Sequence, residues 1–197
     1  MRRLLVKYAK EGEASFLSHR EAMRAMERAL RRSGLPLAFT AGFNPRPRMS
    51  FSPALPLGVA AQAEYLEVSV EEGAKVLEAK GRMNKALPRG LQVCELQQLA
   101  PTMPKLSRWV RYGLYRIDAG GTDEETVYVV LSFSGEEAAR LKDALEKVGE
   151  LLGRPATNRD VTRVGLYASP HEVHEDARGL VYFYDGKRCE LEEMAGD

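Results

Sequence analysis

The sequence predicts an α+β protein in two units, a ferredoxin-like βαββαβ unit over residues 1–100 and a smaller α+β unit over 106–197. Three observations predict it. Strand-length apolar runs alternate with amphipathic segments in the order β-α-β-β-α-β, the split βαβ pattern. A capping box opens a helix whose two faces separate cleanly. Prolines at 101 and 104 then break the chain, as in a linker. A chain of 197 residues suits this division, since domains run to about 100–150 residues each. Hydrophobic residues at 44% and charged residues at 29% exclude a disordered, collagenous or coiled-coil chain.

Residues 2–9 form an apolar run of strand length. Ser18 is placed to cap the helix that follows, and Glu21 three residues on completes a capping box. Gly34 stops that helix and Pro36 prevents its continuation. At 100° per residue Ala22, Met23, Met26, Ala29 and Leu30 share one side, while Arg20, Arg24, Arg28 and Arg31 fall on the opposite one. Residues 35–40 read as a second strand. Residues 41–58 fit no regular element, because Pro45, Pro47, Pro53 and Pro56 remove backbone donors. Residues 63–70 alternate as a third strand, 71–87 are helical, and 91–99 are a fourth strand.

In the second half, 109–117 and 126–133 read as strands joined through a Gly120-Gly121 turn. Residues 135–152 are helical, with Ala138, Leu141, Ala144, Leu145 and Val148 on one side. Residues 161–167 and 180–184 are further strands, giving β-β-α-β-β. No run of about 18 apolar residues exists, so no membrane-spanning helix and no membrane partner is expected. Residues 1–10 carry neither a long apolar region nor a small-residue cleavage site, so a cytoplasmic location is expected. Cys94 and Cys189 are then expected as reduced thiols.

The net charge of +1 conceals an asymmetry. Residues 1–60 hold eleven Lys and Arg against four Asp and Glu, or +7. Such a field draws phosphates or an acidic partner. Phosphate-loop, dinucleotide-binding and nucleophile-elbow motifs are all absent. No Cys-x-x-Cys pair supports a zinc or iron–sulfur site, and His171 and His174 sit in a loop-like context. No metal site and no resident cofactor are expected.

Three features point to chemistry. Ser18, His19 and Arg20 open the first helix, where the positive helix end favours a neutral imidazole. Arg20, Arg24, Arg28 and Arg31 could form a rail for phosphates, or simply a solvated face with a Glu27–Arg31 pair. In the proline-rich segment Arg46 and Arg48 alternate with prolines. There Phe43 and Phe51 offer stacking faces, and Asn44 and Ser50 offer neutral hydrogen bonds. In a ferredoxin-like unit this segment is expected to lie near the start of the first helix.

Phe16-Leu17-Ser18-His19, Arg28-Ala29-Leu30-Arg31-Arg32-Ser33-Gly34-Leu35-Pro36, Gly42-Phe43-Asn44-Pro45-Arg46-Pro47, Ser50-Phe51, Leu55-Pro56-Leu57-Gly58 and Glu64-Tyr65-Leu66 occur in that order. Together they resemble the bacterial radical-SAM-linked protein family, a domain of unknown function (DUF2344), over residues 1–100. The resemblance implies a radical SAM protein as partner, which would carry the iron–sulfur cluster. It implies no reaction for this chain.

Three readings follow. The leading one is a non-catalytic accessory module that binds RNA or another anionic substrate through its basic N-terminal face. A second is a metal-independent ribonuclease, with His19 as general base and Arg20 or Arg46 stabilising the phosphorane. The third is a purely structural partner subunit.

Overall fold

The computed structural model describes residues 1–73, 76–118, 126–177 and 180–194. Among them lie nine strands and four α-helices, a mixed α+β architecture in two compact units. The first unit is residues 1–57 with 63–108; the second is 58–62 with 109–197. No helix is long and apolar enough to cross a membrane.

In the first unit the strands are β1 (Arg2–Lys10), β2 (Met49–Phe51), β3 (Ala60–Val70, of which residues 63–70 belong to this unit and 60–62 to the second) and β4 (Leu91–Gln98). The helices are α1 (His19–Arg32), α2 (Val76–Ala86) and α3 (Leu106–Trp109), a single turn at the end of the unit. The strand order is β4-β1-β3, with β2 on the other side of β3. β4 pairs antiparallel with β1, and β2 antiparallel with β3. Alternation in β1 buries Leu4, Val6 and Tyr8, which meet Leu66, Val68 and Val70 of β3 in one core. Ala25, Met26, Ala29 and Leu30 of α1, with Ala79 and Met83 of α2, cover them. This burial is why the arginine side of α1 is left outward.

The start of α1 is fixed by the expected capping box. The Ser18 hydroxyl accepts from the Glu21 N–H at 3.3 Å, while the Ser18 N–H donates to Glu21 Oε2 at 2.8 Å. The Ser18 hydroxyl also donates to that oxygen, at 2.6 Å.

The second strand departs from the sequence expectation. Residues 35–40 make only isolated bridges, Leu37 to Val70 and Phe39 to Pro47, and the strand proper is Met49–Phe51, inside the segment read as irregular. The prolines are the reason. Pro47 lies before Met49 and Pro53 after Phe51, so the strand itself keeps all its N–H groups. The Arg48 N–H still donates to the Ala38 carbonyl at 2.8 Å.

In the second unit β5 (Tyr112–Asp118) lies between β6 (Thr126–Ser132) and β7 (Val161–Tyr167), antiparallel to both. β8 (Val181–Asp185) runs parallel to β6, and β9 (Glu190–Glu193) antiparallel to β8. Ala60 and Ala61 pair parallel with Thr162 and Arg163. Leu114, Tyr128, Val130, Tyr167, Val173 and Val181 form a core cluster. α4 spans Leu141–Leu152, shorter than the helix expected over 135–152. Residues 135–140 instead form a turn that returns to β6, where the Ala139 N–H donates to the Ser132 carbonyl at 3.1 Å. The Gly120-Gly121 turn lies outside the described residues. Cys94 in β4 and Cys189 before β9 are both exposed.

Gly90 joins α2 to β4 with φ of +86°, and its carbonyl accepts from the Glu11 N–H at 2.8 Å. An added Cβ there would lie 2.3 Å from the Glu11 carbonyl oxygen. Gly90→Ala is expected to destabilise the fold by about 2 kcal/mol or more, read by urea unfolding. Ser18→Ala is expected to cost about 1 kcal/mol in the same assay. The two Ser18 hydrogen bonds hold the Glu21 carboxyl below the usual carboxylate range, helped by Arg24. A depressed carboxyl contributes stability at neutral pH and loses it as the pH falls through the depressed value. The Ser18→Ala deficit should therefore shrink below about pH 4.

Candidate nucleic-acid interface

A groove of about 790 Å³ runs between α1 and the proline-rich segment of the first unit. From α1 it is lined by Arg20, Met23, Arg24, Glu27 and Arg31; from the segment by Thr40, Asn44, Arg46 and Met49, with Pro45 and Pro47. The segment reaches α1 because it folds as a small hairpin. The Thr40 N–H donates to the Arg46 carbonyl at 2.8 Å, and the Arg46 N–H to the Thr40 hydroxyl at 3.1 Å. Gly42, with φ of +116°, allows the turn between them. The Ser69 N–H donates to the Arg48 carbonyl and the Ser69 carbonyl accepts from the Ala38 N–H, each at 2.9 Å, which ties both arms to β3.

The groove is cationic: four arginines against one carboxylate. Among the described residues Arg20, Arg24 and Arg46 take part in no ion pair. Arg31 is held by Glu27, whose Oε1 accepts from Nε at 3.1 Å and Nη2 at 2.9 Å. The Arg31 guanidinium also lies 5.3 Å from the centre of the Phe39 ring. Unpaired guanidinium groups on an open surface are donors without acceptors, and phosphate oxygens match their planar fork.

The sequence-predicted site residues divide into two sets. Arg20, Arg24, Arg31, Asn44 and Arg46 meet on the groove. Ser18 is committed to capping. The His19 ring stands edge-on to Phe51, centroids 5.8 Å apart, and neither residue is among those lining the groove. Phe51 is half-buried against the core, and Ser50 pairs with Glu67 along β3. Arg28 and Arg48 also lie off the groove, and Arg48 Nε donates to the Phe39 carbonyl at 3.0 Å. Phe43, at the hairpin tip, is fully exposed.

Sequence reasoning missed Thr40 and Met49 as parts of this surface, and Phe39 as the ring beside Arg31. Their roles depend on the hairpin, which local pattern did not reveal. Elsewhere, a cavity of about 610 Å³ in the second unit is lined by Gln62, Arg116, Asp118 and Tyr128 among others. Its arginine is neutralised by Asp118 at 3.0 Å. A third cavity, about 640 Å³, follows α4 past Leu145, Gly149 and Pro155. Among the described residues no group of three or more His, Cys, Asp and Glu side chains could hold a metal ion.

No curated protein matches the chain. Residues 3–160 match the family described as an uncharacterized protein conserved in bacteria, DUF2344, a span that runs through the first unit and into the second. The chain belongs to that family.

Proposed function

We propose that this protein is a non-catalytic, cytoplasmic accessory module that binds single-stranded RNA in the α1–hairpin groove and works beside a radical SAM protein. The observation that carries this reading is the convergence of Arg20, Arg24 and Arg46, none of them in an ion pair among the described residues, from two separate elements onto one open groove. A rail of guanidinium groups suits a phosphodiester backbone. The exposed Phe43 beside it suits an unpaired base, since stacking on an aromatic ring is the usual partner of such a rail. A single strand fits better than a duplex, whose bases are already stacked on one another.

The radical SAM partner rests on the resemblance of the ordered motifs between residues 16 and 66. With two cysteines, the chain holds fewer thiolates than the four of a Cys-ligated cluster, so the cluster would belong to the partner. The strand order β4-β1-β3-β2 supports reading the first unit as ferredoxin-like.

Fluorescence anisotropy with a labelled single-stranded RNA tests the groove. Three unpaired arginines predict a slope of about −2 for log affinity against log salt. Arg46→Ala is expected to weaken binding about tenfold, while Arg48→Ala, whose Nε is spent on a carbonyl, weakens it less. Binding that does not respond to salt, or equal losses in the two variants, would remove the groove from the function. No histidine is among the residues lining the groove, so affinity should stay level from about pH 6 to pH 8.

A further inference from the structure

The groove contains one group that a plain phosphate rail would exclude. Glu27 lines it between Arg24 and Arg31, at three- and four-residue spacings that place the three side chains on one stripe of α1. A carboxylate there repels every phosphate that passes. Nor is it fully consumed by Arg31: both bonds from that guanidinium go to Oε1, and no described residue donates to Oε2. Arg31 also lies 5.3 Å from the centre of the Phe39 ring. The pair is therefore a positioned acceptor inside a cationic groove, with the uncommitted guanidinium of Arg24 one turn away.

We infer that Glu27 reads a base, and that the base is guanine. This rests on the groove taking single-stranded RNA. The free Oε2, with its two lone pairs, can accept from two adjacent N–H donors at once. Among the four RNA bases only guanine presents two such donors side by side on its Watson–Crick edge, N1–H and the N2 amino group, with the O6 acceptor beside them for a guanidinium. Adenine and cytosine set a ring-nitrogen lone pair next to their amino group, and uracil flanks its single N–H with two carbonyl oxygens. Each of these would turn a lone pair toward Glu27. Arg20, Arg24 and Arg46 then hold the strand, and Glu27 with Arg24 selects which nucleotide settles at the middle of α1.

The test compares three labelled RNA octamers at one salt concentration: eight uridines, the same strand with one central guanosine, and the same strand with inosine there, which lacks the N2 amino group. Wild-type protein is expected to bind the guanosine strand about tenfold tighter than the uridine strand, with inosine losing part of that gain. Glu27→Gln, of equal size and on a helix surface, should bind the guanosine and uridine strands alike. Its uridine affinity should exceed that of wild type, because the repulsive charge is gone and Arg31 is released from its pair. Equal wild-type binding to the uridine and guanosine strands, or a guanosine preference that survives in Glu27→Gln, overturns the assignment while leaving RNA binding intact. Absence of binding to every octamer overturns both.

Discussion

Ser69, near the end of β3, exchanges hydrogen bonds with both arms of the proline-rich hairpin, accepting from Ala38 and donating to Arg48 at 2.9 Å each. The arms cannot slide along the sheet without losing one of these bonds. The hairpin tip is therefore held in a fixed relation to β3, and through the shared core to α1. Arg46 faces Arg20 and Arg24 only because of this anchoring. Backbone bonds of this kind are well suited to the task, since they survive any change of the side chains they position.

The helix that carries the arginines is built with a local conflict. Arg20 sits in its first turn, at the positive end of the helix dipole, where a cation is disfavoured. Arg24 follows one turn later, in no ion pair among the described residues, though its charge helps lower the Glu21 carboxyl. The Ser18–Glu21 box offsets part of this by bringing an anion to the same end. Arg31 at the far end is both dipole-compatible and paired. The unfavourable charges thus lie where the groove opens, and the favourable ones where the helix meets its own stop. Departures from local optima of this sort mark surfaces shaped for something other than stability.

Much of the first unit was legible because its signals are local. The capping box, the 100° periodicity of α1 and the stop at Gly34 and Pro36 each occupy a few neighbouring residues, and the helix ends where they indicate. The stripe of Arg20, Arg24 and Arg31 follows from the same periodicity. The position of β2 was not legible, because four prolines in one segment argue against a strand unless their spacing is compared with the pairing of a partner chain segment. β9 was missed for a related reason. Glu190-Leu191-Glu192-Glu193 has little strand preference of its own and is a strand because β8 offers it an open edge. Which arginines of the segment turn inward was equally invisible: Arg46 and Arg48 are two residues apart, yet one lines the groove and the other bonds a carbonyl.

Each unit carries one thiol at its surface, Cys94 in the first and Cys189 in the second, and neither is in a disulfide. That distribution lets a thiol-reactive dye be placed on each unit without any substitution. Such a label would report on the surface of the unit that carries it. It would do so with the cationic groove untouched.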